Sequence, residues 1–559
     1  MKRRFSVEEA LTAVLQSSEG EEEESSRTDT GSEGTSGEAL PEFEEDGFSS
    51  SSSCEDMEEE EAAAAWKSRN GQVIWGPTPD ETLRYFPPPI LTSGPTRYAS
   101  DRISSPKTSF ELFITEEIIQ LILKNTNLQG RRTAAEWKDV DVEELWAFIG
   151  LLILAGVYRS RDEATQSLWA EDTGRSIFRA TMSRKRFQQI SVALRFDDCL
   201  SRPARQQRDK MAAIRGLWDL WSTRLPLLFN PGRDVCVDEQ LVPFRGRCSF
   251  RQYIPSKPAK YGLKVWVVCD VETSYAWRMQ VYTGRSPGAE REVNQGMRVV
   301  LELTEGLEGH TVTMDNFFTS FPLAEELRKR KMTLVGTLRK NKPELPPQLL
   351  QTRLREPLSS VFAFTRTQTA VSYVPKRGRN VLLLSTKHRE PAVEEGPKKK
   401  PKIVTDYNHC KGAVDNLDKV VGTYSSRRRS CRWPQTLFCN ILDVSSYNAF
   451  ILFVAVDPSW NQRKLFRRRL FLEELGKSLV APMMARRRRM PRTPAAATLV
   501  AQIQGQETEP AAAEAGPLKR RKQCTFCTQQ RKVWTQCSKC SKYSCKVHMK
   551  AICSSCSTE

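Results

Sequence analysis

Long apolar runs are missing from this chain of 559 residues. No uninterrupted run approaches the roughly 18 apolar residues that a membrane span requires. The opening MKRRFSVEEA lacks the apolar stretch of a secretory signal peptide. Histidine is also scarce, with only 4 in the chain. We therefore expect a soluble intracellular protein without a membrane partner. Its 39% of hydrophobic residues are enough to form the cores of several domains.

The charge of the chain is strongly uneven. Lys and Arg number 85 against 68 Asp and Glu, a formal net charge of +17. Because acidic residues concentrate in residues 1–65, the remainder is more basic than this sum suggests. A body that basic predicts a polyanionic partner such as DNA.

Residues 1–65 are rich in Glu, Ser and Gly and contain almost no aromatic residues. Such a segment buries too little apolar surface to offset its chain entropy, so we expect it to be disordered. It is either an ordinary solvated tail or an electrostatic brake that competes with DNA for the basic surface.

Four aspartates lie in three segments whose patterns could bring them together. Asp238 and Asp315 each follow a β-branched run, which places them at or near strand ends. Asp415 and Asp418 are three apart in a helix-compatible stretch and share one face. Carboxylates without a nearby histidine suit Mg²⁺ or Mn²⁺ rather than zinc. The pattern indicates two-metal phosphoryl transfer, although a single aspartate is more often a surface charge or a cap.

Secondary-structure patterns change along the chain. Residues 105–233 show the apolar stripes of helices, rich in Arg and aromatic residues. From residue 234 the pattern becomes three strands, helix, strand, helix and strand, as expected for a mixed sheet. We therefore predict an α/β protein.

A basic loop follows the helix of Asp415 and Asp418. It could clamp phosphates and stack an unpaired base, or it could be a solvated loop with a buried tryptophan. We favour DNA contact by its five residues, Arg427, Arg428, Arg429, Arg432 and Trp433.

The C-terminal segment contains four ligand pairs, each with a two-residue gap. Eight sulfur or imidazole ligands are the number needed for two tetrahedral zinc ions, and disulfides are the weaker explanation without a secretory signal. Because the segment is too small for a core of its own, the zinc would be structural. The ligands are Cys524, Cys527, Cys537, Cys540, Cys545, His548, Cys553 and Cys556.

Longer motifs resemble the piggyBac transposases. They include DEQLVPFRGR, KPAKYGLKVW, MDNFFTS, YNHCKGAVDNLD, SSRRRSCRWP and the final cysteine array. The resemblance implies an RNase H-like DDD catalytic core. It identifies Asp238, Asp315 and Asp415 as the Mg²⁺-binding triad and Asp418 as an additional acidic neighbour.

The resemblance also implies a domain order that surrounds this core. An insertion domain interrupts it, a helical dimerisation and DNA-binding domain flanks it, and a two-zinc cysteine-rich domain ends the chain. The predicted segments are an acidic region 1–65, linker 66–104, helical domain 105–233, catalytic domain 234–340, insertion 341–405, catalytic domain 406–424, helical domain 425–480, linker 481–516 and zinc domain 517–559.

The activity implied is cut-and-paste transposition by a homodimer on double-stranded DNA. Water nicks the transposon terminal repeat, the freed 3′-OH forms a hairpin, and the same hydroxyl later attacks a TTAA target. The alternative is a domesticated DNA-binding or chromatin regulator that keeps the fold without catalysis. The runs KKKPK at 398–402 and KRRK at 519–522 look like nuclear import signals, so we expect a nuclear protein.

The resemblance favours an interleaved zinc connectivity. One ion would take Cys524, Cys527, Cys545 and His548, and the other would take the remaining four cysteines. Sequential pairing stays open. The adjacent His409 and Cys410 are expected to be structural, because neighbouring side chains rarely aim at the same atom.

Overall fold

The computed structural model describes residues 65–79, 92–284, 292–505, 522–528, 532–533 and 542–548. The chain divides into two compact units, residues 1–483 and 484–559. The acidic region 1–64 and the ligand pairs Cys537 with Cys540 and Cys553 with Cys556 lie outside the described residues, and so do the expectations attached to them.

Helices dominate the first unit between residues 97 and 228, as their apolar periodicity predicts. The helices before the sheet are α1 (Arg97–Ser100), α2 (Pro106–Glu111), α3 (Glu116–Thr133), α4 (Val142–Val157), α5 (Thr165–Leu168), α6 (Ser176–Thr181), α7 (Arg184–Ala193), α8 (Arg202–Gln206), α9 (Arg215–Ser222) and α10 (Arg224–Leu228). Asp141 caps α4 by accepting a hydrogen bond from the Glu144 N–H at 2.9 Å. Helix α4 is buried over most of its length, so it is a core element.

The remaining helices lie between and after the strands of the sheet. They are α11 (Gln295–Leu303), α12 (Phe321–Lys329), α13 (Pro347–Leu350), α14 (Lys402–Cys410), α15 (Ala413–Thr423), α16 (Trp433–Val456), α17 (Arg467–Ala485) and α18 (Pro494–Ile503).

A nine-stranded mixed sheet forms the centre of the first unit. Four short strands precede it and two short strands occur in the second unit. The strands are β1 (Trp66–Lys67), β2 (Ile74–Trp75), β3 (Gly94–Pro95), β4 (Phe229–Asn230), β5 (Asp234–Pro243), β6 (Gln252–Tyr253), β7 (Tyr261–Asp270), β8 (Ala276–Val281), β9 (Thr311–Met314), β10 (Thr333–Thr337), β11 (Ser359–Phe364), β12 (Thr369–Lys376), β13 (Arg379–Ser385), β14 (Lys522–Gln523) and β15 (Lys532–Val533).

The order across the sheet is β11, β12, β13, β10, β9, β5, β7 and β6, with β8 also paired to β7. Strands β5, β9 and β10 are mutually parallel, whereas β7 and β8 are antiparallel to their neighbours. Along the chain the major elements β5, β7, β8, α11, β9, α12 and β10 follow the predicted order of three strands, helix, strand, helix and strand.

The strands of the predicted insertion extend the central sheet. Strand β13 pairs with β10 in antiparallel fashion, opposite Val335 through Thr337, and β12 and β11 follow outward. A core of Val335, Val371 and Leu383 continues under this part of the sheet, against Ile403 of α14. The segment therefore interrupts the chain between β10 and α14 without interrupting the sheet.

Helix α16 joins the helical part of the unit to the sheet. Ser445 accepts a hydrogen bond from the Trp221 indole N–H at 2.9 Å. The Asn448 amide bonds the backbone of Ala276 in β8, through N–H and C=O contacts of 3.1 and 3.0 Å. These buried polar groups are satisfied, so they fix how the helix sits against both partners.

By length and composition α16 could cross a membrane, contrary to the expectation from uninterrupted apolar runs. However, 94% of its most apolar stretch is buried inside the protein. The helix therefore has the character of a core helix, and its apolar surface is covered by the chain itself.

The first part of the predicted linker, residues 66–76, lies against the central sheet at its outer strand β11. Strands β1 and β2 form a hairpin, and the fully buried Trp75 donates from its indole to the Glu344 carbonyl at 2.9 Å. Gly76 pairs with Phe364 of the outer strand β11. This bridge therefore pairs the Phe364 end of the β11 edge.

Gly156, near the end of α4, lies against the backbone that follows α15. A Cβ at this position would come within 2.4 Å of the Tyr424 carbonyl oxygen and 2.8 Å of the Ser425 carbonyl carbon. Backbone atoms cannot move aside as a flexible side chain does. The close approach of α4 to the end of α15 therefore requires glycine.

We expect Gly156→Ala to destabilise the first unit by about 1–3 kcal/mol, because the added methyl group overpacks this contact. Denaturant unfolding checks the value. Gly422→Ala is the matched control, since Gly422 lies in α15 with open space around its Cβ position. It should be neutral or stabilising by up to about 1 kcal/mol. Equal stability of the two variants would contradict the packing argument.

Candidate active site and metal centre

Asp238 and Asp315 lie side by side on neighbouring strands. Parallel strands β5 and β9 pair Val237 with Met314. Asp315 directly follows the end of β9, as predicted, whereas Asp238 lies in the middle of β5 rather than near its end. Their carboxylates are held by local backbone bonds, from the Glu239 N–H to Asp238 at 2.8 Å and from the Phe317 N–H to Asp315 at 2.9 Å. The parallel register therefore brings together two residues that are far apart in sequence.

Helix α15 carries the other two predicted aspartates and packs on β5 and β7. Asp415, in the first turn, keeps 66% of its side chain exposed. Asp418 lies deeper: burial raises its pKa, and the nearby Gln240 side chain and Leu241 N–H of β5 act in the opposite direction. Asp415 is thus available to a ligand, whereas Asp418 faces β5.

Lys257 lies among these carboxylates. Its Nζ donates to the Glu239 carbonyl at 3.1 Å and is 3.1 Å from a carboxylate oxygen of Asp415. Burial opposes the Lys257 cation, yet its pKa is raised because Asp415 and Asp238 stabilise the charge. The lysine therefore supplies positive charge at the point that the aspartates share.

The electrostatics of the aspartates are those of a site that needs a cation. Burial raises the pKa of Asp238 to about 7, and the Glu239 and Asp315 carboxylates act in the same direction. Burial also raises the pKa of Asp418 to about 6 and that of Asp315 above its usual range. At neutral pH Lys257 and Lys264, the second of which lies 3.5 Å from Glu239, do not offset this concentration of carboxyl groups.

These residues fit a hard divalent cation by chemistry. The donors are carboxylate oxygens, the ligands that Mg²⁺ and Mn²⁺ prefer. No three carboxylates in the described part of the chain close into a ready metal-ligating group. Lys257 Nζ lies 3.1 Å from Asp415, and Asp238, Asp315 and Asp415 are the side chains that could hold the metal.

Sequence reasoning did not single out Lys257 or Gln240. Lys257 stands in the KPAKYG motif, where nothing in the local pattern tells which lysine points towards the aspartates. Gln240 lies near Asp418 and accepts a hydrogen bond from the Asn440 amide of α16 at 3.0 Å. The uncharged polar residue within the strand pattern VCVDEQLV was the available signal.

Two arginines of the predicted basic loop donate hydrogen bonds to backbone carbonyls. Arg428 donates to the carbonyls of Ser160 and Glu163. Arg432 donates to the carbonyl of Ser191 at 2.6 Å and to that of Leu194 at 2.8 Å. These guanidinium groups fasten the loop to the helical part of the unit.

The other members of the loop differ in exposure. Arg429 is exposed, whereas burial lowers the pKa of the half-buried Arg427. Trp433 begins α16 and packs edge to face on Phe250, with ring centroids 5.0 Å apart. Arg429 is therefore the member best placed to meet an external ligand, and DNA contact by this loop stays a prediction.

In the second unit, Cys524, Cys527, Cys545 and His548 converge, and their ligand atoms all lie within 4.8 Å of one another. Cys527 Sγ and Cys545 Sγ are each 3.3 Å from His548 Nδ1 and 3.4 Å from each other. Tetrahedral zinc with Zn–S of about 2.3 Å places its ligands about 3.5–3.8 Å apart. This donor set fits one zinc ion and matches one half of the interleaved arrangement.

Comparison with known proteins agrees with this architecture. A family model described as Transposase IS4 matches residues 105–450, more than half of the chain. The chain is thus a member of a transposase family. A cryo-EM structure of a piggyBac transposase synaptic complex with hairpin DNA aligns with a TM-score of 0.70 at 34% identity, covering 83% of this chain and 100% of that one. The chain belongs to the piggyBac transposase family.

Curated human relatives are more distant. PiggyBac transposable element-derived protein 3 from Homo sapiens is 26% identical over 401 residues, 66% of this chain and 65% of that protein. PiggyBac transposable element-derived protein 2, also human, is 22% identical over 368 residues, 62% of this chain and 61% of that protein. The chain thus spans somewhat less than two thirds of either relative.

The raised pKa of Asp238 predicts a pH-dependent stability of the metal-free protein. Between an unfolded pKa of about 3.9 and the folded value of about 7, the folded state holds a proton that the unfolded state has lost. Rising pH therefore destabilises the fold across this window. We expect Asp238→Asn to stabilise the chelated protein by on the order of 2–4 kcal/mol at pH 8 and by much less at pH 4.5.

Urea unfolding at both pH values in the presence of a chelator provides the measurement. Asp172→Asn, at an exposed loop position, serves as the matched control. If Asp238→Asn gains no more stability at pH 8 than at pH 4.5, the buried carboxyl is not the source of the effect.

The cysteine cluster predicts metal content. The purified full-length protein should contain two zinc ions per chain, and Cys545→Ser should lose at least one because a tetrahedral site then lacks a ligand. Elemental analysis by mass spectrometry measures this. Cys431→Ser is the control, since Cys431 is exposed and lies outside the cluster. Unchanged zinc in Cys545→Ser would reject the ligand assignment.

Proposed function

We propose that this protein is a metal-dependent DNA transposase of the piggyBac type, which cuts and joins DNA strands at TTAA sites. The observation that carries the proposal is the pairing of β5 with β9, which sets Asp238 beside Asp315 in front of the helix of Asp415. The strand order β8, β7, β5, β9, β10 supports an RNase H-like core for this site.

Each residue has a role in this proposal. Asp238, Asp315 and Asp415 hold Mg²⁺ or Mn²⁺, which when bound activates the attacking oxygen and stabilises the leaving one. Asp418 positions Asp415 by fastening α15 to β5. Lys257 offsets part of the negative charge, chiefly that of Asp415, before DNA and metal arrive.

The partner proposed is double-stranded DNA, namely the terminal repeats of a transposon and a TTAA target. The solved relative is a synaptic complex with hairpin DNA, and the formal charge of +17 suits the same partner here. We further propose that the protein acts as a homodimer in the nucleus, with two structural zinc ions in its C-terminal domain.

Cleavage of DNA tests the catalytic assignment. We expect Asp238→Ala, Asp315→Ala or Asp415→Ala to abolish Mg²⁺-dependent cutting of the repeats that flank the gene, because each removes a metal ligand worth several kcal/mol of transition-state stabilisation. Cutting of end-labelled DNA is measured together with binding. Binding should persist, since these carboxylates do not attract phosphate.

Asp172→Ala is the matched control and should cut like wild type. Asp418→Ala should retain more activity than Asp415→Ala, because its carboxylate contacts β5 rather than the ligand space. Wild-type protein that binds these ends yet never cuts them with Mg²⁺ or Mn²⁺ would defeat the enzyme proposal. It would favour the alternative of a domesticated nuclear DNA-binding or chromatin regulator.

A further inference from the structure

Two exposed tyrosines lie side by side at the edge of the central sheet. Tyr253 of β6 pairs directly with Tyr261 of β7, so both side chains stand on one side of the sheet. Their ring centroids are 4.8 Å apart, and the Arg251 guanidinium lies 5.2 Å over the Tyr261 ring. Tyr253 is 54% exposed and Tyr261 is 42% exposed. We call these three side chains the tyrosine platform.

The hairpin that carries the platform reaches the candidate metal centre. Tyr253 and Tyr261 close the base of this hairpin, and Lys257 lies midway between them along the chain. The Lys257 amino group is 3.1 Å from a carboxylate oxygen of Asp415 and 3.1 Å from the Glu239 carbonyl. Four residues of chain span at most about 14 Å. The platform backbone is therefore no farther than this from the backbone of a lysine that contacts Asp415.

The rings also point to the side of the sheet on which Asp238 lies. The Phe244 N–H donates to the Tyr261 carbonyl at 3.0 Å, which continues the register of β5 with β7 by one residue. Phe244 and Tyr261 are therefore opposite each other and share a side. Side chains alternate along a strand, and six residues separate Asp238 from Phe244. The platform and Asp238 are thus on the same side of the sheet.

The chain around the platform is basic only. Residues 240–269 contain six Lys and Arg and no Asp or Glu. Lys257 pairs with Asp415, and Lys264 pairs with Glu239. A segment with this charge attracts a polyanion, which favours DNA over an apolar protein partner. The four remaining basic side chains are all exposed, namely Arg245, Arg247, Arg251 and Lys260.

The ring that the sequence favoured for base stacking is less accessible than the platform. Trp433 packs edge to face on the buried Phe250, whereas Tyr253, three residues further along the chain, is exposed. A single exposed aromatic residue needs no explanation. Two exposed rings in contact, with a guanidinium over one of them, form an aromatic surface beside positive charge. Unpaired bases stack on such surfaces because every base has a π-face.

We propose that the tyrosine platform stacks an unpaired base of the DNA strand that is held at the aspartates. Tyr253 supplies the more exposed ring, and the exposed basic side chains around it attract the phosphates of the same strand. Stacking holds a strand beside the metal centre once its duplex has opened. This inference rests on the proposed DNA-binding function, but it does not require that the protein cuts DNA.

A fluorescent adenine analogue, whose emission falls when it stacks, tests the inference. The probe is a random-sequence duplex with a single-stranded tail of about six nucleotides that carries the analogue, because about 14 Å equals only about four base steps. With the full-length protein in chelator, the wild type should quench the emission and prefer the tailed duplex to a blunt one. Tyr253→Ala should lose the quenching and bind the tailed duplex about tenfold more weakly, with unchanged affinity for the blunt duplex. Tyr253→Trp keeps an aromatic ring and should behave like wild type.

Tyr98→Ala is the matched control, because Tyr98 is also exposed and has Arg102 over its ring at 4.0 Å, but lies on α1. It should keep the quenching and the preference for the tail. Equal melting temperatures would show that all variants fold.

Three results would overturn the inference. The first is unchanged quenching in Tyr253→Ala. The second is an equal loss of affinity for tailed and blunt duplexes, which would indicate contact with the duplex backbone instead. The third is a lower oligomeric state of Tyr253→Ala with unchanged DNA binding, which would make the platform an interface between two copies of the chain. Wild-type protein that binds neither duplex would defeat the proposed DNA-binding function itself.

Discussion

The parallel pairing of β5 with β9 is the constraint on which the site depends. The register that joins Val237 to Met314 leaves Asp238 and Asp315 as neighbours at the point where the two strands part. A shift by one residue would turn one carboxylate to the opposite face of the sheet. The buried β-branched residues of both strands hold the register, so apolar packing fixes the spacing of the charges.

Neighbouring carboxylates repel one another, and two features of the fold reduce this repulsion. The Gln240 side chain and the Leu241 N–H of β5 favour the charged form of Asp418. Lys257 places a cation near Asp415 and the Glu239 carbonyl. Neither device removes the burial that raises the pKa of Asp238. Repulsion between the buried carboxylates therefore persists in the site, and a divalent cation would relieve it.

Local pattern predicted the main strands and helices, because β-branched runs and helical stripes report on burial directly, whereas the aspartates were singled out by the longer motifs around them. It did not reveal that β11 to β13 extend the central sheet, since strand partners are set by pairing across long separations. Nor did it distinguish the arginines: Arg428 and Arg432 bind carbonyls, whereas Arg429 is exposed. A guanidinium group can donate hydrogen bonds to either phosphate or carbonyl oxygens, so only the fold shows which of these an arginine binds.

The sheet also determines when the site can exist during synthesis. Its strands extend from Asp234 to Ser385, and α15, which brings Asp415, is made after all of them. Strands β5 and β9 emerge with unpaired edges and must wait for partners and for the helix that covers them. A nascent chain that stops before α15 therefore lacks a complete carboxylate set. Translation itself delays the appearance of the candidate metal centre until most of the first unit has left the ribosome.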